Sequence, residues 1–269
     1  MPSSKNIYSS SFNSFGQIGL IQTPSAESRP EGSVSLIFNK NDMWKYGTLS
    51  VSPFNWLEAS YFYYRPSDLI WEGDSVRGHY LDKGFNVKFI YRPINNNLPN
   101  IAFGLDDFAG TGFFSKEYIV STMELNNLKT TFGIGWGKFA NKNTIENPFS
   151  FISDSLSIRP SKSKNQNYVG KATYDQWFRG DVSIFGGIEY AIPSIKGLKL
   201  KIEYDPFNYF DLSAFNRNDA LYSLRNKESD INYGFSYSVN KFFTIDTSYI
   251  KGNTVNFNFT YSLNFNKGL

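Results

Sequence analysis

The residues that could do chemistry are few. His79 is the one histidine, and there is no cysteine, so a nucleophile triad would have to be built around that imidazole. His79 lies between Gly78 and Tyr80 in a predicted loop over 65–82, with no elbow-like serine motif nearby. Asp106 and Asp107 are adjacent carboxylates on a predicted strand. Neighbouring strand residues point to opposite faces, so these two act as a pair only if the strand bulges. Glu203 and Asp205 do share a face, with Lys199 and Lys201 beside them. A glycosidase could use two such carboxylates; the simpler reading is an ion-pair lattice across an enclosed space. Ala109-Gly110-Thr111-Gly112 reads as a tight turn, since no helix follows to complete a phosphate loop. No cofactor motif and no metal-ligand spacing stands out. The missing cysteines exclude a disulfide framework, a thiolate zinc site and a lipoprotein cysteine within this chain.

What positions these residues is a succession of strands. Alternation with period two runs from about Gly32 to the C-terminus, without a helix of any length. Leu128, Thr130, Phe132, Ile134 and Trp136 oppose Lys129, Thr131, Gly133, Gly135 and Gly137. Leu198, Leu200, Ile202 and Tyr204 oppose Lys199, Lys201, Glu203 and Asp205. Val255 to Phe265 repeats the pattern over a length that suits a tilted membrane-spanning strand. Twelve strands are predicted, at 32–39, 43–51, 57–64, 83–92, 100–108, 113–123, 128–139, 181–191, 198–206, 230–237, 242–250 and 254–265. Every even-numbered link is short, and the long links 65–82, 140–180 and 207–229 are all odd-numbered. Short periplasmic turns at one rim and long extracellular loops at the other produce that parity; a sandwich has no reason to.

Composition agrees. Aromatics form 18% of the chain, yet its mean hydropathy is −0.38. A soluble β-sandwich with so many phenylalanines needs a thick core, whereas lipid covers the apolar face of a membrane barrel. Full charges in mid-strand, namely Lys88, Lys129, Lys199, Lys201, Glu203 and Asp246, are the candidates to line a wet lumen. Tyr91, Trp136, Tyr190, Tyr204 and Tyr249, near strand ends, are the candidates for the interfacial girdles. The glycine stripe Gly133, Gly135, Gly137 lets a neighbouring segment approach the inner wall. Loop aromatics Trp71, Tyr80, Tyr174 and Trp177, with Phe178, Tyr209 and Phe210, could stack on sugars or pack the loops. The net charge of +3 carries no basic stripe interleaved with stacking aromatics, so nucleic acid is not an expected partner. Met1 to Ser14 is polar and Ser-rich without an apolar h-region, so an export signal is not legible there.

Several stretches resemble the YjbH/GfcD family of exopolysaccharide- and capsule-associated outer-membrane proteins. They include Gly16 to Ala26 (GQIGLIQTPSA), Trp56-Leu57-Glu58, Asp82-Lys83-Gly84-Phe85 and Leu98 to Gly112 (LPNIAFGLDDFAGTG). Further matches are Glu117 to Val120, Gly133 to Gly137, Trp177 to Gly180, Phe185 to Tyr190, Glu203-Tyr204-Asp205 and Gly252-Asn253-Thr254. The resemblance implies a barrel that helps secrete or display exopolysaccharide or capsule, and it supplies no catalytic residue. Typical members are longer and continue past the first barrel.

The reading is therefore an all-β transmembrane antiparallel barrel over 32–269, preceded by a periplasmic lead-in at 1–31 that could tuck into the lumen around Leu20. Its expected place is the bacterial outer membrane, with lipid, polysaccharide and other export proteins as partners. It is expected to be an export accessory, scaffold or conduit and not an enzyme. A porin for small solutes is the alternative, and an outer-leaflet lipid hydrolase using His79 a third.

Overall fold

In the computed structural model, residues 10–68, 80–95, 97–110, 112, 114–140, 142–160, 172, 174–209 and 223–267 are described. His79 and Trp71 lie outside them. The strands are β1 (Ser33–Lys40), β2 (Trp44–Phe54), β3 (Leu57–Pro66), β4 (Asp82–Tyr91), β5 (Asn100–Asp106) and β6 (Lys116–Leu125). They continue with β7 (Leu128–Gly137), β8 (Ser183–Ala191), β9 (Leu198–Tyr204), β10 (Ile231–Ser238), β11 (Phe243–Ile250) and β12 (Thr254–Asn264). Each pairs antiparallel with its sequence neighbours, and β1 also pairs with β12, so the sheet closes into a barrel. Closure leaves no unpaired edge, which is the condition for β-structure in hydrocarbon.

The alternation decides what faces where. Phe132 is 60% exposed, Phe257 52% and Ile202 50%. A sandwich would bury all three between its sheets; here they stand on the outer wall, in an apolar band with Leu36, Phe103, Leu200, Phe235 and Ile245. Their strand neighbours Thr131, Asn256, Asn258, Lys201 and Glu203 are buried inside. This is a transmembrane barrel with a polar inner wall.

Three local readings are corrected. Strand β2 continues to Phe54 instead of stopping at Val51, because a bulge between Val51 and Phe54 accommodates Pro53, which has no N–H for the ladder. Asp106 and Asp107 do not point apart. The strand ends at Asp106, and Asp107 adopts a left-handed conformation (φ 51°) that leaves both carboxylates buried. Trp136 is not in the exposed girdle. It has the outward parity of Phe132 but is fully buried, because the β7–β8 connection folds over it with Phe149 stacked at 5.8 Å and Phe178 edge-on at 5.1 Å.

The same connection neutralises an outward carboxylate. Glu117 on β6 sits opposite Trp136 in register and is buried, and Arg159 reaches it with two donors at 2.5 and 2.9 Å, while the Phe178 amide donates at 3.2 Å. We predict that Arg159→Ala detaches this segment, at a cost of about 1–3 kcal/mol for the unpaired buried carboxylate. Limited proteolysis should then cut within 142–160 faster while the barrel keeps its heat-modifiable gel mobility. Unchanged cleavage would mean that the Phe149 and Phe178 rings hold the loop by themselves.

Candidate functional site

The lumen is occupied by the chain's own lead-in. A segment without strand partners must satisfy its buried backbone groups in other ways, and residues 10–31 do this first by folding on themselves. The Asn13 side-chain oxygen accepts from the Phe15 and Gln17 amides at 3.0 and 3.1 Å, and Gly16 turns the chain with φ 75°. A second turn closes from the Leu20 amide to the Thr23 carbonyl at 2.9 Å, and the Ser25 amide donates to the Ile18 carbonyl at 3.1 Å. These turns use up some of the backbone groups.

The barrel wall takes many of the rest. Glu203 accepts from the amides of Ile21, Gln22 and Thr23, each at 2.9 Å, and from the Thr23 hydroxyl at 2.8 Å, while Asn232 steadies its other side at 3.0 Å. Glu58 accepts the Ile18 amide at 3.1 Å, and Lys88 donates to the Ile18 carbonyl at 3.0 Å. Lys201 donates to the Leu20 carbonyl at 2.7 Å, Asn258 to that of Phe12 at 3.1 Å, and the Ala26 amide donates to the Thr122 hydroxyl at 2.9 Å. The Gln17 side chain reaches Asp106 at 2.6 Å. Gly187 leaves room first for β9 and then for the lead-in, because a Cβ there would stand 2.1 Å from the Ile202 carbonyl oxygen and 2.9 Å from Leu20 Cδ1.

The residues read as lumen-lining all point inward. Lys88 pairs with Glu58 at 3.0 Å, Lys199 with Glu189 at 3.0 Å, Lys201 with Asp246 at 3.5 Å, and Lys129 with Glu27 of the lead-in at 2.8 Å. Glu203 departs from the lattice reading. Among the described residues its partners are backbone amides and two polar side chains rather than a lysine. Glu58, Asp106, Thr122 and Asn232 were missed as anchors. Glu58 stands opposite Lys88 in the β3–β4 register, so an inward-phase acid facing an inward-phase lysine was the available signal.

Towards the long-loop rim the lumen becomes aromatic. Phe15, at the tip of the lead-in, packs with Trp44, Tyr46, Phe62, Tyr64, Tyr80, Phe114, Phe207 and Tyr209. The Lys116 ammonium lies 3.8 Å from the centre of the Phe15 ring. Tyr80 and Tyr209, read as loop aromatics, are therefore buried in this cap; Tyr174 is exposed and Trp177 half-buried. The glycine stripe serves the same inner wall, since Cβ atoms at Gly133 and Gly135 would stand 2.4 and 2.5 Å from the rings of Phe185 and Phe139. Among the described residues no cluster of His, Asp or Glu could hold a metal ion.

At the short-turn rim Glu27 latches the lead-in to the wall through Lys129 and the Ser10 hydroxyl, the latter at 2.7 Å. Burial alone would raise the Glu27 carboxyl, but the Lys129 ammonium more than offsets it and holds the group below its ordinary 4.5. A carboxyl lowered by folding contributes stability that is complete above pH 4.5 and is lost as pH falls through the lowered value. Protection against hydrogen exchange across residues 10–31, taken relative to the intrinsic rate at each pH, should therefore fall on acidification below pH 4.5, and Glu27→Gln should remove that part of the pH dependence. Identical acid profiles for the two proteins would exclude the latch.

Fold and lumen together define the class: a transmembrane β-barrel whose bore is filled by its own N-terminal segment. The family follows from sequence comparison. Residues 11–268 match the family described as "Exopolysaccharide biosynthesis protein YbjH", and the chain belongs to that family. It is 34% identical over 258 residues to a protein of Escherichia coli (strain K12) named "Uncharacterized lipoprotein YjbH", a match that takes in 94% of this chain and 35% of the relative. The chain thus spans about a third of the length of that relative. Among solved structures it is similar to the COG4313 outer membrane channel from Pseudomonas putida F1, at 9% identity and TM-score 0.43, covering 90% of this chain and 100% of that one. It is also similar to the KdgM porin, at 10% identity and TM-score 0.41, covering 86% and 97%.

Proposed function

We propose that this chain serves exopolysaccharide secretion as a plugged accessory or scaffold barrel of the outer membrane, and that it performs no catalysis. The family supports the connection to exopolysaccharide. The observation that carries the choice of an accessory over a standing pore is the Glu203 cradle, which ties three consecutive lead-in amides to the wall in mid-lumen. A general porin needs a wet bore throughout, and this one holds a folded segment capped by rings. Lipid contacts the apolar band, polysaccharide and export proteins meet the rims, and no cofactor takes part.

Deleting the gene in its host and assaying surface polysaccharide tests the reading, with fractionation of a tagged product. The expected result is reduced or altered surface polymer and a product in the outer-membrane fraction. Unchanged polymer overturns the role. Steady conductance of the intact protein in planar bilayers would replace it with the porin reading.

A further inference from the structure

At the short-turn rim, where the lead-in enters, the barrel mouth holds a cavity of about 460 Å³, within the range of small-ligand sites. Four cations line it, and they fall into two kinds. Lys129 and Lys199 are neutralised by Glu27 and Glu189 at 2.8 and 3.0 Å. Arg29 and Arg92 touch no carboxylate among the described residues. Arg92 spends its donors on the Asn55 carbonyl and the Ser28 hydroxyl. Arg29 donates from one nitrogen to the Ser262 hydroxyl at 2.6 Å and lies 5.5 Å from the centre of the Phe12 ring. Its Nε is buried without any acceptor, although the residue is only 8% exposed.

A buried guanidinium with an idle donor is costly unless an acceptor arrives, because buried polar groups are satisfied almost everywhere in folded proteins. Burial already depresses the Arg29 guanidinium to about 10, against the pull of Asp246 and Glu58 farther off. An oxyanion entering the mouth would meet two guanidiniums that hold no anion, the side-chain chemistry best matched to planar carboxylates. Apart from Glu124, which stands 3.7 Å from Lys129, the rest of the wall suits a hydroxylated molecule: Asn55, Asn100, Asn126 and Asn127 offer amide donors and acceptors, and among the described residues no aromatic ring lines the cavity.

We propose that this mouth is a binding site for a carboxylate-bearing sugar, a uronate unit of an acidic saccharide, with Arg29 and Arg92 holding the carboxylate and the asparagines the hydroxyls. The proposal rests on the secretion reading for why a saccharide would arrive from this side. The site sits beside the latch between Glu27 and Lys129, so an occupant would touch the segment that fills the bore.

Calorimetry on the purified barrel in detergent tests this with three probes: a glucuronate tetrasaccharide, a neutral glucose tetrasaccharide and inorganic phosphate. The acidic sugar should bind, the neutral one about tenfold more weakly or not at all, and Arg29→Gln or Arg92→Gln should each weaken the acidic sugar by about tenfold or more. Equal binding of both sugars, or variants as tight as the parent, overturns the proposal. Phosphate as tight as the uronate also overturns it, leaving a simple oxyanion or lipid-headgroup site. Arg92 is exposed at the rim, so Arg92→Gln remains a folded test if Arg29→Gln does not assemble. The two readings fail separately. Absent uronate binding leaves the secretion assay untouched, and unchanged surface polymer with uronate binding retained leaves a saccharide site in a barrel of another function.

Discussion

Glu203→Gln should release the lead-in from the wall while leaving the barrel closed. The native carboxylate accepts three backbone amides and a hydroxyl on two oxygens, in a place where water does not replace them. Glutamine keeps the length, and with its carbonyl in the place of Oε2 it can still accept from Ile21, Gln22 and Thr23, but each of those bonds loses its charged acceptor and the new NH2 meets the Asn232 donor head-on. Hydrogen bonds to charged groups contribute roughly 1.5–3 kcal/mol each and do not add fully. The docked state should therefore weaken by about 3–5 kcal/mol, a shift of two to three powers of ten or more in the undocked population at about 1.4 kcal/mol per tenfold. Two measurements read it: the Ile21, Gln22 and Thr23 amides should exchange faster by a comparable factor, and planar bilayers should show openings that the parent lacks. Heat-modifiable mobility, which reports the closed sheet, should not change. If those amides exchange at the parent rate, the cradle does not hold the lead-in and the aromatic packing around Phe15 does.

The strands were legible because hydrogen-bonded walls impose period two on everything they carry. Phe257 and Phe259 alternate with Asn256 and Asn258 in the sequence, and they alternate between outside and inside in the barrel. Phase is harder to read where both faces are aromatic. Tyr61 and Tyr63 face outward and Phe62 and Tyr64 inward, so the run Tyr61 to Tyr64 has no contrast to show which set is which. The aromatic cap in the lumen was hidden for that reason. Trp136 was misplaced because what covers it, Phe149 and Phe178, arrives from a long connection with no period of its own. Glu203 carried the right phase and the wrong partner. Its acceptors are used by Ile21 and its neighbours, 182 positions away, and no local pattern encodes a contact of that separation. The Gly16 to Ala26 stretch could be flagged only through its resemblance to a family, since a segment that folds in tight turns inside a lumen shows neither strand nor helix periodicity.

Whether the inner wall is dry at mid-depth decides how much of this architecture the ion pairs hold together, and Lys88→Met measures that. Lys88 and Glu58 lie 3.0 Å apart with 0% and 2% of their side chains exposed, and they clasp the carbonyl and the amide of Ile18 between them. Removing the ammonium leaves a buried carboxylate facing a neutral thioether. Breaking a buried pair from one side costs about 3–5 kcal/mol, because desolvation is no longer offset by attraction. The double variant Glu58→Gln with Lys88→Met removes the charge problem and leaves the amide oxygen of residue 58 able to accept from Ile18. It should recover a good part of the loss, so denaturant unfolding in micelles should rank parent, double variant, then Lys88→Met, with a favourable coupling in the cycle. This ordering separates two pictures of the lumen. In a water-filled bore the carboxylate would be solvated after the lysine is lost, and the single and double variants would cost nearly the same. In a bore packed by the lead-in no water replaces the ammonium. The charged residues on the wall then act as sockets for residues 10–31 instead of lining a conduit, and a polymer could pass through the bore only after that segment had left it.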